Sequence, residues 1–316
     1  MTQARGYRSQ LLLDFETTFG VDPTTKAAVL MPFETNNVAA NQNLTEDNTI
    51  RNRRDPAKPS RGNVDVAGQV VVPIGPTSFG YSLKALFGDP TTTDGGLSEY
   101  SHAFKPGDTQ PSFVLDRGFT DIDVYEKFSG CKVSQMAITL GGDGALTAAI
   151  DIMGAKNTVG TTAYAASPTT HTDTRFSNFQ ATLQENSVAV GVVTTADFQI
   201  NASLDGNQYV IGSQGFRQDI PEGLIQISGN LTALFKDKQL MDKAINGTET
   251  SLKFGLEDGL NSLEFHFPEV EFGRGSPAVE GPQGVVITLP WRAYCKSNDP
   301  ADASVIVTLV NGLETY

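Results

Sequence analysis

The sequence has 316 residues, a length typical of about two domains. Hydrophobic residues make up 39% and charged residues 19%, and 31 glycines accompany many Thr, Ser and Asn residues. This composition favours short strands joined by turns. The formal net charge of −13 argues against stable binding to nucleic acid, because Lys and Arg would have to face the phosphates. A surface that DNA passes without adhering is compatible with it.

Two cysteines, Cys131 and Cys295, are far apart and have no metal-ligand spacing. We expect each to be a small core hydrophobe beside a strand, and the sequence leaves open whether they are paired. Residues 1–10 include Arg5 and Arg8, but no apolar run of signal-peptide length follows them, and no stretch is long enough to span a membrane. We therefore expect synthesis in the cytoplasm, with export only as part of an assembly.

The first half of the chain has the pattern of a β domain with one helix. Phe79, Leu83 and Leu86 recur at helical spacing and Gly88 follows, which predicts a short helix over 79–87. The run Gly-Gly-Asp-Gly at 141–144 predicts a hairpin turn. Strands are predicted at 11–20, 64–72, 112–115, 121–128, 132–140 and 145–153.

Residues 43–62 are polar and charged and lack apolar periodicity. Arg51, Arg53 and Arg54 stand close to Asp55 and other acidic residues, and two prolines follow. The pattern predicts a long exposed loop or an extended hairpin tip, here called the arm.

The second half begins after a stretch rich in Thr, Ala and Ser. Residues 157–174 have few bulky side chains, which is typical of a linker. A second helix is predicted at 236–245. The division is then a first domain over 1–156, the linker, and a second domain over 175–316. Strands in the second half are predicted at 179–183, 188–193, 198–204, 208–211, 252–256, 263–267, 285–294 and 305–310.

Two ordered pairs of motifs indicate that one β domain occurs twice. Residues 62–68 (GNVDVAG) are matched by 223–229 (GLIQISG), and 84–88 (KALFG) by 243–247 (KAING), at the end of each predicted helix. Order and spacing agree together, which favours duplication. The alternative is that glycine-bounded strands are common in β proteins.

The hairpin strand at 144–153 also corresponds in place to 284–293. The fold class predicted is mainly β, with two tandem β-sandwich or barrel domains. Each domain carries one short flanking helix, which hides an edge or an open mouth of the sheet.

Three segments resemble the major tail tube proteins of long non-contractile-tailed phages. They are 15–23 (FETTFGVDP), 61–68 and 78–88 (SFGYSLKALFG). The resemblance covers the first half well and the second half more loosely. It is carried by small and aromatic residues rather than by chemical signatures. It implies a β-sandwich tube domain with one flanking helix, a fold shared with other phage tubes and with the type VI secretion tube.

The resemblance also implies the function of a structural tube subunit. Three two-domain chains would close a ring with pseudo-sixfold symmetry, in which neighbouring subunits extend the sheet around a channel. Rings would stack on a tape measure protein, and the channel would later conduct DNA without binding it stably. The implied partners are other copies of the chain, the tape measure protein, the tail terminator and the distal tail or baseplate proteins. The implied location is the virion, after synthesis in the bacterial host cytoplasm.

Physical reasoning agrees with such a ring. A closed ring of sheets removes strand edges, and it requires head-to-tail contacts, one of which tandem domains supply within the chain. In a stack of rings the arm would reach the adjacent ring, with Arg51, Arg53, Arg54 and Asp55 as candidate contacts. The corresponding stretch of the second half, 207–222, is shorter and less charged, so the two halves are not strictly equivalent.

Chemical motifs are scarce. His102, His171 and His266 lie in unrelated segments without ligand spacing, and neither a nucleophile elbow nor a phosphate-binding loop is present in the sequence. The sequence therefore predicts no catalytic site, no metal site and no cofactor.

Two acidic pairs alternate with apolar residues. Asp121 and Asp123, and likewise Glu269 and Glu271, are each expected to share one face of a strand. The plain interpretation is a solvated surface. In a tube they are candidates for an acidic channel wall.

Other functions fit the sequence less well. A different tail or baseplate protein with the same fold would usually carry extra modules. A β-sandwich carbohydrate-binding protein or adhesin would need exposed aromatic clusters and an export signal. Trp291, the single tryptophan, is expected to be a buried core anchor rather than a carbohydrate platform.

Overall fold

A computed structural model describes residues 3–96, 99–279, 281–299 and 301–316. The described chain is mainly β, as predicted, with helices α1 (Ser78–Phe87) and α2 (Gln239–Asn246) and with 3₁₀ turns at Gly6–Arg8 and Asn178–Gln180. The strands are β1 (Ser9–Phe15), β2 (Val29–Leu30), β3 (Thr35–Asn36), β4 (Ala39–Thr45), β5 (Ser60–Pro73), β6 (Thr91–Gly96), β7 (Glu99–Phe104), β8 (Phe113–Phe119), β9 (Val124–Leu140), β10 (Thr147–Gly154), β11 (Lys156–Gly160), β12 (Thr169–Thr170), β13 (Ala181–Glu185), β14 (Val188–Ala189), β15 (Val193–Asn201), β16 (Gln226–Leu234), β17 (Thr250–Asp258), β18 (Asn261–Phe272), β19 (Val286–Ala293) and β20 (Ile306–Asn311).

Both predicted helices are present and both end at glycine. Helix α1 stops at Gly88, whose φ is +94° and whose N–H donates to Lys84 O at 2.8 Å. Helix α2 stops at Gly247 in the left-handed region. It begins three residues later than predicted, since the Asp237 side chain accepts from the Gln239 N–H at 2.9 Å and fixes the start there.

The predicted hairpin around 141–144 joins β9 to β10, which pair antiparallel. Two separate strands were expected before it, but β9 runs unbroken for 17 residues. Gly130 adopts φ +64° within β9, and this local irregularity lets the strand change direction without ending. As a result, β9 pairs with β8 and β11 through its first part and with β10 and β15 through its second part.

The hydrogen-bonded strands form one large sheet that does not close, so the barrel alternative is wrong. The sheet folds over a shared core, in which apolar side chains of both halves belong to one cluster. Phe128 and Phe198, from different halves, are both in it and almost fully buried. The division of the chain into two domains therefore stays a prediction.

The stretch 157–174, predicted as a linker, instead carries strands and a buried tyrosine. Strand β11 pairs with β9, and β12 pairs with β2 in parallel. The Tyr164 side chain is buried, and its hydroxyl donates to Asp14 Oδ2 at 2.9 Å. Small Thr and Ala residues allow close packing against the first half, which composition alone did not distinguish from a flexible linker.

The two halves repeat the same order of antiparallel strands. In the first half the hydrogen-bonded order is β1–β8–β9–β10–β5–β4. In the second half it is β13–β17–β18–β19–β16–β15. Helix α1 follows β5 and helix α2 follows β16, the fifth strand of each order. This agreement supports the duplication that the motifs predict.

The register of the two halves also agrees. The β8–β9 ladder shifts by one residue between Phe113 and Leu115, and the β17–β18 ladder shifts between Thr250 and Leu252. After the shift, Leu115 pairs with buried Phe128 in the first ladder, and Leu252 pairs with buried Phe267 in the second. A bulge at the same place in both halves is a local feature that strand order alone would not require.

The core predicts a strong and specific mutational effect. The ring centroid of Phe198 lies 5.0–5.3 Å from those of Phe254, Phe265 and Phe267. Phe198→Ala should lower the free energy of unfolding by about 3–5 kcal/mol through the cavity it leaves. Phe179→Ala is the matched control, because Phe179 is 97% exposed and its loss should change stability by less than about 0.5 kcal/mol. Urea denaturation measures both, and equal effects would contradict this description of the core.

Candidate assembly surfaces

The two halves are joined by a continuous ladder between β9 and β15. Residues 135–140 of β9 pair with 196–201 of β15, and the Ala202 N–H extends the ladder by donating to Ser134 O at 2.9 Å. The Asn201 side chain donates to Gln135 Oε1 at 3.3 Å across the same junction. A strand of the second half thus extends the sheet of the first half, and we call this contact the internal junction.

The loop 202–225, which connects β15 to β16, reinforces the internal junction. Its Arg217 side chain is only 6% exposed. The guanidinium donates to Val66 O at 3.2 Å and to Gly154 O at 2.8 Å, and it forms an ion pair with Asp65. These groups belong to β5 and β10, so the buried cation of the second half bonds to backbone carbonyls of the first.

The outward face of the sheet is polar on both sides of the internal junction. Side chains on it bond across strands: Gln69 Nε2 donates to Asp151 Oδ1 at 2.9 Å, and Asn230 Nδ2 donates to Asp197 Oδ1 at 3.1 Å. Amide, hydroxyl and carboxylate groups dominate it. The outward residues include Gln69, Gln135, Thr139, Asp151, Asp197, Gln199, Asn201, Ser228, Asn230 and Thr232. We call this surface the polar face.

The polar face was not predicted, although a signal for it exists. In β10, β15 and β16 polar or small residues alternate with buried ones. The face contains a shallow groove of about 570 Å³ beside Trp291 and Arg292. Trp291 itself is 1% exposed and packs on Phe254 and Phe267, so the prediction of a core anchor is confirmed.

The arm is exposed, as predicted, and its base is a hairpin. Strands β4 and β5 pair as far as Thr45 and Ser60, and 46–59 lie outside the ladder. Within the arm, Arg53 Nε and Asp55 Oδ2 are 2.6 Å apart, at 71% and 66% side-chain exposure. The side chains of Arg51 and Arg54 are exposed as well. Whether these residues contact a neighbouring ring stays a prediction.

One of the two acidic pairs does not lie on a strand. Asp121 and Asp123 are in the turn between β8 and β9, where Asp123 adopts φ +52°, so the expectation of a shared strand face is wrong for them. Aspartate tolerates this left-handed conformation, and an alternation over so few residues does not distinguish a turn from a strand. The Asp121 carboxylate accepts from the Arg5 N–H at 2.9 Å.

The other acidic pair lies where it was expected. Glu269 and Glu271 flank buried Val270 on one face of β18. Glu269 is 3.4 Å from Lys296 Nζ, and Glu271 stands opposite Arg292 in the β18–β19 register. Each of these carboxylates therefore has a cation near it.

The histidines and cysteines occupy structural positions. His102 is buried between Thr92 Oγ1 at 2.9 Å and Leu313 O at 2.8 Å, and its burial lowers the pKa of the imidazole. His171 stacks on the Tyr81 ring. Cys131 is buried, as expected, whereas Cys295 is exposed, so the expectation of a core position is wrong for Cys295; both are free thiols and are not paired. In the described ranges, no group of three or more His, Cys, Asp or Glu could hold a metal ion.

The C-terminal tyrosine forms a cluster that sequence reasoning missed. The Tyr316 ring lies over Gly80 of α1, where a Cβ atom would be 2.1 Å from the ring. Its hydroxyl donates to Thr77 O at 3.0 Å, and Lys84 Nζ donates to Tyr316 O at 2.9 Å. A glycine inside an apolar helix was the available signal of such a close approach.

The chain was compared with known families. The family model described as phage tail tube protein matches residues 6–293, nearly the whole chain. The chain belongs to the phage tail tube protein family. No curated protein shows significant similarity to it. As a tail tube protein it is a structural component of the virion, and the tube is built by self-assembly of such subunits. Among the described residues no helix is long and apolar enough to cross a membrane.

The internal junction of the tail tube protein gives a second prediction. Arg217→Ala removes the charged donor that bonds to two buried carbonyls, Val66 O and Gly154 O, and should cost about 1.5–3 kcal/mol of stability. Arg53→Ala removes an exposed ion pair and should cost less than about 1 kcal/mol. Thermal and urea unfolding of both variants test this. If Arg217→Ala proves as mild as Arg53→Ala, the internal junction does not depend on that cation.

Proposed function

We propose that three copies of this tail tube protein close into a ring of six quasi-equivalent units, and that stacked rings form the channel for DNA ejection. The observation that supports this most is the repeated strand order, β1–β8–β9–β10–β5–β4 and β13–β17–β18–β19–β16–β15, joined head to tail by the internal junction. Each chain on this proposal consists of two tandem tube domains.

The head-to-tail character of the internal junction favours a ring over a two-fold dimer. Strand β9 of one half meets β15 of the other, so the two sides of the contact differ. Contacts of this kind generate a closed ring when the rotation per unit closes, and a helical filament when it does not. A tube of stacked rings is the closed form.

The polar face is the surface best suited to the channel wall. DNA phosphates are repelled by Asp151 and Asp197, and the amide and hydroxyl groups carry no charge that would bind them. Arg292, which pairs with Ser228 of this face, also stands opposite Glu271. Glu271 borders this face through its pairing with Arg292. Glu269, and Asp121 and Asp123 in their turn, are further candidates for an acidic channel wall.

The arm is the candidate for contact between rings, through Arg51, Arg53, Arg54 and Asp55. The remaining parts of the proposal follow the function of a siphovirus tail tube. The rings assemble around a tape measure protein and meet the tail terminator at one end and distal tail or baseplate proteins at the other. DNA passes without stable binding. The protein is synthesised in the host cytoplasm and acts as a structural protein rather than an enzyme.

Negative-stain microscopy of the purified protein tests the ring directly. We expect rings or tubes with a central hole, and a mass of three chains per ring by sedimentation at the lowest concentration that assembles. A monomer that persists at high protein concentration, in the presence of salt that screens the net charge, would refute the proposal.

A shortened arm tests the stacking contact. Residues 46–59 are replaced by Asn-Gly, which closes the β4–β5 hairpin with a two-residue turn and keeps both strands. Rings should form but fail to stack, because the contact between rings is lost. A companion variant with Arg51, Arg53 and Arg54 changed to Ala keeps the length of the arm. It shows whether stacking needs the positive charges of the arm or only its length. Tubes of normal length from the shortened variant would rule out this role of the arm.

A further inference from the structure

We infer that the contact between copies is a strand ladder in which β4 of one copy pairs with residues 273–279 of the next, in the register of the internal junction. This inference rests on the ring proposed above and names the two edges that close it. The two edges are those that correspond, in the contact between copies, to β9 and β15 in the internal junction.

Strand β4 corresponds to β15. Ala40 of β4 pairs with Val66, and Ile200 of β15 pairs with Ile227, and Val66 and Ile227 hold the same place in the two glycine-bounded motifs. Val38, two residues before Ala40, and Phe198, two residues before Ile200, are both buried. The two strands therefore present the same edge at equivalent positions.

That edge is occupied in β15 and unoccupied in β4. Just before β4, the Asn37 N–H donates to Gln69 O in the register that Ala39–Gln42 continues, so in this part of β4 odd-numbered residues bond toward β5 and even-numbered ones face away from it. Directly after β15, the corresponding even-numbered residue Ala202 bonds to Ser134 of β9. Among the residues that the structure describes, β4 pairs with β5 alone.

Residues 273–278 correspond to the part of β9 that receives β15. They continue β18 alongside β19, since the Gly273 N–H donates to Pro290 O at 2.7 Å and Ala278 forms a bridge with Val286. Between the Phe272–Trp291 pair and the Ala278–Val286 bridge the register moves by one residue.

The β9–β10 ladder has the same one-residue shift, between Asp151 and Ile152. The correspondence therefore extends past the end of β18 and identifies the outer edge of 273–279 as the counterpart of the edge that β9 offers to β15. Arg274, Ser276 and Ala278 on this segment are exposed.

The internal junction then fixes the register between copies. Ala137 pairs with Gln199 across it, and the corresponding residues are Ser276 and Ala39. In the same register Gly275 faces Ala40 and Arg274 faces Asn41. The side chains nearest the middle of this ladder are small, so the two backbones can approach to normal strand spacing.

Pro277 fits this role as an edge residue. It would face Val38 but has no N–H to donate to Val38 O, and the Val38 N–H is already held by Asn36 Oδ1 at 3.0 Å, so this one pair adds no hydrogen bond to the ladder. Proline on an exposed edge restricts which strands can pair with it. Pairing in the register of the internal junction keeps the remaining hydrogen bonds of the ladder. Pairing of this edge with unrelated strands is disfavoured, because Pro277 cannot donate a hydrogen bond to them.

Disulfide trapping tests the register. Ala39→Cys and Ser276→Cys are combined in a Cys295→Ser background, which removes the exposed native thiol. The two positions form a pair that is not hydrogen-bonded, with the Cα spacing of about 4.5 Å that a disulfide accepts. After assembly and oxidation, the double variant should run as cross-linked dimers and trimers on a non-reducing gel, and each single variant as a monomer. Asn41→Cys with Arg274→Cys, the adjacent pair of the same kind, should behave alike.

The control pair is Ala39→Cys with Thr194→Cys, because Thr194 lies on β15, whose edge is already paired with β9 within the chain over residues 196–201. This pair should not cross-link. If the unmodified protein forms rings and neither pair of the proposed register cross-links, the edge assignment is overturned while the ring stands. If the unmodified protein forms no rings, the ring proposal fails and the edge assignment fails with it. Equal cross-linking of the control pair would likewise overturn the assignment.

Discussion

The unpaired backbone of an edge strand is the constraint on which this structure depends. A strand at the edge of a sheet exposes a row of N–H and C=O groups that either bind another strand or must be protected from doing so. In this chain β15 meets that requirement by pairing with β9. Strand β4, at the equivalent place in the first half, has no such partner among the described residues. The same edge is thus satisfied within the chain in one half and available for assembly in the other.

Both faces of the sheet follow from this arrangement. One face packs on a core that both halves share, which requires the apolar alternation of β10, β15 and β16. The opposite face is free to be polar, and cross-strand bonds such as Gln69–Asp151 and Asn230–Asp197 hold its side chains in place. Amides fixed in this way are less able to reorganise around a phosphate, which would suit the channel wall of the tube proposed above.

Features set by a few adjacent residues could be predicted from the sequence. The end of α1 depends on Gly88, and the β9–β10 turn depends on three glycines, so a few adjacent residues are enough to predict each of them. The arm was predicted because a long polar segment cannot contribute to a core.

Features set by distant partners could not be predicted. Strand β11 forms because β9, about thirty residues earlier in the chain, offers an edge to it, and composition alone indicated a linker there. The turn at Asp121 and Asp123 depends on a positive φ that alternation does not reveal. The polar face needs the order of strands in the sheet, since its residues come from both halves and are neighbours only across ladders. Its alternation was visible in each strand, but the surface it forms was not.

The difference between the halves decides how the two kinds of junction compare. The first half carries β6 and β7 after its helix, whereas residues 247–249 alone connect α2 to β17. Strand β7 pairs with β20 of the second half, so within the chain the halves are joined a second time, away from the β9–β15 ladder. In the proposed ring a second half has no counterpart of β7 to offer to the next copy. The junction between copies therefore has one ladder where the internal junction has two. In the proposed ring the junction between copies is therefore the weaker of the two, and ring closure would depend on the concentration of subunits and on any contacts that the arm adds.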